Sequence, residues 1–233
     1  VNQIMGQFKP RCLIADEVGL GKTIEAALIF EELKLRNMVK RIIIITPAGL
    51  TSQWKDELKT KFNEDFTIID RNTFEALRQI HGNVNVWNHY DRVITSLDFL
   101  KPKAIRASLS EQVRRNREDH NQAVTEGCIN ANWDMVVFDE AHKLSKEAEG
   151  SETSRYKIGK ALSEVSPIFL LLTATPHQGD GEKFRHLLSL IDPYKFYSPD
   201  SLVPSNVKSV TVKNKKRAAT DFNGNLIFKS RVT

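Results

Sequence analysis

Residues Leu13-Ile14-Ala15-Asp16-Glu17-Val18-Gly19-Leu20-Gly21-Lys22-Thr23 join a short apolar run to a glycine turn, and the turn to a helix opening on Lys-Thr. A strand that ends in such a turn and restarts as a helix confines the chain to a small set of α/β folds, and it also has a chemical use. Gly19 and Gly21 let the backbone approach a polyphosphate. Successive N–H groups and the helix N-terminus face its negative charge, Lys22 reaches the outer phosphates, and Thr23 offers a hydroxyl to Mg²⁺. The eight residues Asp16, Glu17, Val18, Gly19, Leu20, Gly21, Lys22 and Thr23 are the candidate nucleotide-binding loop. The general pattern G-x-x-x-x-G-K-[ST] has glycine where this chain has Asp16. A glycine turn that merely starts a helix is the alternative.

That alternative weakens at Met135-Val136-Val137-Phe138-Asp139-Glu140-Ala141-His142, a buried-type strand delivering two adjacent carboxylates at its C-terminal end. In an open α/β sheet, ligands belong at that end. Asp139 suits Mg²⁺ through the ion's water shell, and Glu140 suits the orientation and deprotonation of an attacking water. Lys22, Asp139 and Glu140 are the candidate catalytic residues, with Thr23 and Asp139 on the metal. An acidic pair serving only as a helix start is the competing reading.

Short apolar strands recur at Cys12–Ala15, Ile42–Thr46, Phe66–Asp70, Arg92–Ser96, Met135–Phe138 and Ile168–Thr173, with helical stretches between them. This alternation predicts an α/β fold with a mostly parallel sheet flanked by helices. In the helix after the glycine turn, Ile24, Ala27, Leu28 and Leu35 stand at core spacing, with Glu25, Glu32 and Lys34 outward. A second helix starts near Thr51 and Ser52, which can cap it, and buries Trp54 and Leu58; Trp54 reads as a packing anchor rather than a base-stacking platform. Between Lys101 and Asn132, Arg106, Arg114, Arg115 and Arg117 alternate with Glu111, Glu118 and Asp119, the pattern of a solvated helix face, with a DNA contact as the alternative. After Pro193 the chain turns polar and basic, with Lys213, Lys215, Lys216 and Arg217 and then an Asn223-Gly224 turn signal. Residues 1–195 therefore read as one lobe and 196–233 as a connector or an incomplete second unit.

The 233 residues carry 34 basic and 29 acidic side chains, a net charge of +5 that permits a polyanionic partner without requiring one. Two cysteines without metal spacing suggest structural thiols in a reduced compartment, and the histidines form no zinc pattern. No run is apolar enough to span a bilayer, so the reading is a cytoplasmic protein without a membrane partner.

The motifs, taken in order, resemble the first RecA-like lobe of helicase superfamily two, and within it the Swi/Snf-type DNA translocase ATPases. In that group the nucleotide loop usually begins with the aspartate found at position 16. Thr46-Pro47-Ala48 with Gln53-Trp54 resembles motif Ia, Thr95-Ser96-Leu97 a further DNA-backbone motif, Asp139-Glu140-Ala141-His142 the DEAH box, and Thr173-Ala174-Thr175-Pro176 motif III. The continuation His177-Gln178-Gly179 is most similar to prokaryotic members, including the helicase of DISARM phage-defence systems. The resemblance implies an enzyme, a P-loop ATP hydrolase using ATP and Mg²⁺, with Pro47, Ala48, Thr95 and Ser96 contacting the backbone of double-stranded DNA. It implies that His142, Thr173 and Thr175 couple hydrolysis to movement. It also implies a second RecA-like lobe of the same protein carrying an arginine finger, without which this stretch alone is expected to be near inactive. No convincing copy of the family's adenine-recognising glutamine motif precedes Arg11. Two other readings stand beside this one: a DEAH-type strand-separating helicase, and a non-catalytic nucleotide-dependent nucleic-acid-binding module. The base-like Glu140 argues against the second.

Overall fold

The computed structural model describes residue 6 and residues 9–17, 19, 21–82, 84–144, 146, 151–176 and 179–213. Val18, Leu20, His177, Gln178, Lys215 to Arg217 and Asn223-Gly224 lie outside the described residues. Among those described, seven strands form one sheet: β1 (Arg11–Ile14), β2 (Ile42–Thr46), β3 (Thr67–Ile68), β4 (Arg92–Ser96), β5 (Met135–Phe138), β6 (Ile168–Leu172) and β7 (Thr211–Val212). Their order is β3-β4-β2-β5-β6-β1-β7, and every pairing is parallel. The expected α/β architecture is therefore present.

Side-chain alternation divides the core in two. Ile14, Ile44, Val137 and Leu170 join one buried cluster, while Leu13, Ile45, Phe138 and Leu171 join the other. Strands buried on both faces read as continuous apolar runs because neither set of alternate residues meets water. Helices α1 (Lys22–Leu35) and α2 (Thr51–Phe62) cover the first face. The second face is covered by α3 (Arg71–His81), the short α4 (Leu97–Leu100), α6 (Gly127–Ile129), α7 (Ser154–Val165), α8 (Gly181–Ser189) and α9 (Pro204–Val210), while α5 (Glu111–Asn121) reaches it through His120 against Phe99. One π-helical turn, Gln122–Glu126, connects α5 to α6.

Three local expectations need correction. In α1 the buried residues are Ala26, Ala27, Ile29, Phe30 and Leu33, whereas Leu28 is 44% and Leu35 75% exposed. Apolar residues surround this helix, so periodicity alone leaves its inward face open; docking on the sheet selects the side where two alanines permit close approach. Helix α2 has no side-chain cap: a 3₁₀ turn, Ala48–Leu50, precedes it, and the Thr51 hydroxyl donates back to the Ala48 carbonyl at 3.0 Å. The strand expected over Phe66–Asp70 shrinks to two residues because Asp70 leaves the ladder to cap α3, accepting the Thr73 N–H at 2.9 Å.

The arginine-rich stretch is largely tied within the chain, as a solvated helix face is. Arg115 pairs with Glu111, Arg117 donates to the Ala104 carbonyl, and Arg78 forks onto Asp119 at 3.1 and 3.2 Å. Beyond residue 195 the chain stays on the lobe as far as the described residues run. Phe196 is fully buried, Val210 enters the core, and β7 pairs with β1. Cys12 and Cys128 are free and buried, as structural thiols are, and burial raises the Cys12 thiol to about 12.

Candidate active site

The sheet order assembles the site. Strand β6 lies between β5 and β1, so the residues following these strands share one edge. The ladder runs on past the strand ends: Thr173 N–H donates to the Ile14 carbonyl at 3.0 Å, and Asp139 N–H donates to the Ile45 carbonyl at 2.8 Å. Thr173 is thereby seated beside the start of the glycine turn, and Asp139 beside Thr46.

In the turn itself, Gly19 and Gly21 both adopt φ 83°. At Gly21 an added Cβ would come no closer than 3.6 Å to a neighbour. Conformation rather than space therefore calls for glycine there, since the left-handed region disfavours residues carrying a Cβ. Gly21 immediately precedes Lys22, so the first N–H groups of α1 have no partner one turn back and face outward. The Lys22 ammonium rests on the Asp16 carbonyl at 3.1 Å. That acceptor is neutral, and the charge of Lys22 is also felt by the nearby Glu25 carboxyl. Asp16 is 1% exposed, and burial, followed by the neighbouring Asp16 carboxylate, raises the Glu25 carboxyl to about 7. Glu25, expected to point outward, is half-buried instead.

At the acidic pair, Glu140 occupies the left-handed region at φ 50°, ψ 45°. A non-glycine residue held there is strained by about 1–3 kcal/mol. Its effect is to divide the two carboxylates. Asp139 turns toward β2, where its Oδ2 accepts from the Trp54 indole Nε1–H at 2.8 Å and lies 3.4 Å from the Thr46 hydroxyl. Its Oδ1 accepts the Glu140 N–H at 2.8 Å. Glu140 turns the other way: its Oε2 lies 3.1 Å from His142 Nδ1, which is also 3.1 Å from the Thr173 hydroxyl. The Thr173 hydroxyl oxygen in turn accepts the Thr175 N–H at 3.2 Å. A continuous polar path thus runs Glu140–His142–Thr173–Thr175.

The Thr23 hydroxyl and the Asp139 carboxylate are hard oxygen groups of the kind Mg²⁺ takes, in the small number typical of a metal held partly by water and substrate phosphates, so these residue types would fit that ion. Among the described residues no cluster of three or more His, Cys, Asp or Glu side chains offers a separate metal cage. A concavity of about 700 Å³ lined by Lys34, Val39, Thr67, Asp91 and Arg92 lies at the opposite, N-terminal ends of the strands, where an open parallel sheet does not place its ligands.

The residues expected to face DNA behave differently from one another. Pro47 is half-buried and Ala48 exposed, at the turn after β2. Thr95 is fully buried and its hydroxyl donates to the Ile69 carbonyl at 2.7 Å, so that hydroxyl has no reach to a phosphate. The Ser96 oxygen caps α4 by accepting the Phe99 N–H at 3.1 Å. The bond from Trp54 to Asp139 and the Asp16–Glu25 pairing were not read from the sequence. A signal existed for the first, because a buried tryptophan requires a partner for its N–H.

With this geometry in hand, similarity to known proteins fits closely. The chain belongs to the SNF2-related domain family, whose model matches residues 5–219. It is 36% identical over 202 residues to the RNA polymerase-associated protein RapA of Photobacterium profundum, a match covering 87% of this chain and 19% of the relative. The chain thus spans about a fifth of that protein. In fold it is similar to the Sulfolobus solfataricus SWI2/SNF2 ATPase core in complex with double-stranded DNA, with TM-score 0.67, 17% identity, and 92% of this chain and 42% of that one covered. The helicase domain of Pyrococcus furiosus Hef also matches, with TM-score 0.51, 15% identity, and 88% and 35% covered. The expected RecA-like lobe of superfamily two, Swi/Snf type, is therefore present.

Proposed function

We propose that this chain is the nucleotide-binding motor lobe of a DNA-dependent ATPase that translocates on double-stranded DNA together with a second RecA-like lobe. The observation carrying the reading is the convergence of the glycine turn, the acidic pair and the His142–Thr173 path on one sheet edge. In this scheme the loop amides and Lys22 bind the triphosphate, and Thr23 and Asp139 hold Mg²⁺, which when bound neutralises charge on the phosphate oxygens. Glu140 takes the proton of the attacking water. The His142 contact orients Glu140 and ties it to Thr173, so a change at the base is felt at the end of β6. Ala48, in the turn that Pro47 opens, offers its backbone N–H to a DNA phosphate, with Ser96 beside it at the end of β4, contacts that fix position without reading sequence.

The name of the Photobacterium relative favours a second context, association with RNA polymerase, beside the phage-defence setting suggested by the wording of the motifs. Co-purification of the full-length protein with either machinery separates the two.

The decisive measurement is steady-state ATPase activity of residues 1–233 with saturating duplex DNA, before and after the second lobe is joined to it. The stretch alone lacks an identifiable arginine finger, a group worth about 10³–10⁵ in turnover in related chemistry. Near-zero turnover that rises on joining supports the proposal. Robust DNA-stimulated turnover by this stretch alone overturns it.

A further inference from the structure

Trp54 is 3% exposed and lies one turn into α2, directly after the Pro47–Leu50 segment. Its indole Nε1–H donates to Asp139 Oδ2 at 2.8 Å, across 85 positions of sequence. With the Glu140 N–H on Oδ1 at 2.8 Å, the carboxylate is held at both oxygens, which fixes its plane. The indole is rigid and neutral: it restrains direction without the cancelling charge that a lysine or arginine would bring, so the full negative charge of Asp139 remains for a cation. The ring packs in the sheet-face cluster that also contains Ala26, Ala27 and Phe30 of α1. One side chain therefore binds the residue that follows the acidic strand, shares a buried cluster with the helix of the nucleotide loop and, through its own helix, is continuous with the turn at Ala48.

We propose that Trp54 is the positioning residue of Asp139, setting the carboxylate's orientation toward Mg²⁺ and making that orientation depend on the Pro47–Leu50 turn. The inference rests on Asp139 being the magnesium-side carboxylate, as proposed above. Partners that orient a metal ligand typically account for about 10–100-fold in metal affinity when removed. Trp54→Phe keeps the ring and removes the N–H, so the loss should fall on the cation and not on the nucleotide. By linkage, any load on the turn that alters Mg²⁺ binding is matched by an equal effect of Mg²⁺ on that load.

The test uses the two-lobe protein and a fluorescent ATP analogue. Titrating Mg²⁺ at fixed nucleotide should show a half-saturation raised about 10–100-fold in Trp54→Phe, with nucleotide binding in chelator unchanged. Asp139→Asn is the control for the underlying reading. Should it leave the Mg²⁺ dependence untouched, the magnesium assignment fails, and with it this proposal. Should Asp139→Asn shift the dependence while a folded Trp54→Phe does not, the positioning role alone fails. A second measurement needs no tryptophan substitution. The chain has three tryptophans, so the Trp54 indole N–H resonance is assignable in ¹⁵N-labelled protein. It should move on adding Mg²⁺ with nucleotide, move less with nucleotide in chelator, and lose its hydrogen-bonded shift in Asp139→Ala, which leaves no side-chain acceptor. An indole resonance indifferent to both Mg²⁺ and Asp139→Ala overturns the proposal even if Trp54→Phe does not fold.

Discussion

The edge formed by β5, β6 and β1 and the edge formed by β2 and β4 lie on the same row of strand ends, yet they deploy their polar groups in opposite ways. At the first, side chains brace one another across strands. Asp139 is held by Trp54, and Glu140 is tied through His142 to Thr173. At the second, side-chain oxygens are spent inside the fold, Thr95 on the Ile69 carbonyl and Ser96 on the Phe99 N–H, leaving the exposed backbone around Ala48. The contrast matches the two tasks proposed. A reacting phosphate demands donors fixed in place, whereas a grip on any DNA sequence needs only N–H groups that meet phosphates.

The strongest challenge to this contrast is Glu140→Gln in the two-lobe protein. Because an amide cannot take the proton of water, turnover should fall about 10²–10⁴-fold, while ATP binding measured by calorimetry is retained. Turnover close to wild type would remove Glu140 as the base and leave its strained backbone without a chemical reason.

A smaller effect tests the other edge. Thr95→Val removes a buried donor, so it should cost about 1–2 kcal/mol of stability by denaturant unfolding while duplex affinity at fixed salt stays the same. If affinity falls and stability does not, Thr95 faces DNA and the two edges are alike.

The smallest effect concerns the carboxyl pair beside the glycine turn. The Glu25 carboxyl is raised in the fold from an ordinary 4.5 to about 7, first by burial and then by Asp16. Its protonated form is the one the fold favours. The associated stability is complete below pH 4.5 and is lost as pH climbs through about 7. Glu25→Gln mimics the protonated form, so it should be the more stable protein at pH 8 by about 1 kcal/mol once the group's half exposure is allowed for. That corresponds to about 2–4 °C in Tm, vanishing near pH 4. An equal difference at both pH values would show that the carboxyl titrates in the fold as it does in the unfolded chain.

Where a local pattern carries the element, the sequence was sufficient by itself. Strands buried on both faces appear as uninterrupted apolar runs, and five of the six expected ones recur within a residue at each end, because little else satisfies such runs except the centre of a parallel sheet. The glycine turn before Lys22 and the carboxylates after Phe138 were legible for the same reason, since each motif is one contiguous piece of chain. What tertiary structure alone decided are choices between local patterns that look equivalent. The inward face of α1 was settled by docking, because leucines and alanines lie all around that helix. The fate of each hydroxyl was settled by what lies beside it: Thr95 meets a carbonyl 26 positions away, and Thr173 meets His142 from 31 positions away. Trp54 reads as a packing anchor until β5 is paired beside β2 and its indole finds Asp139. A hydrogen bond depends on distance and direction in space, and sequence separation carries neither until the order of the strands is set.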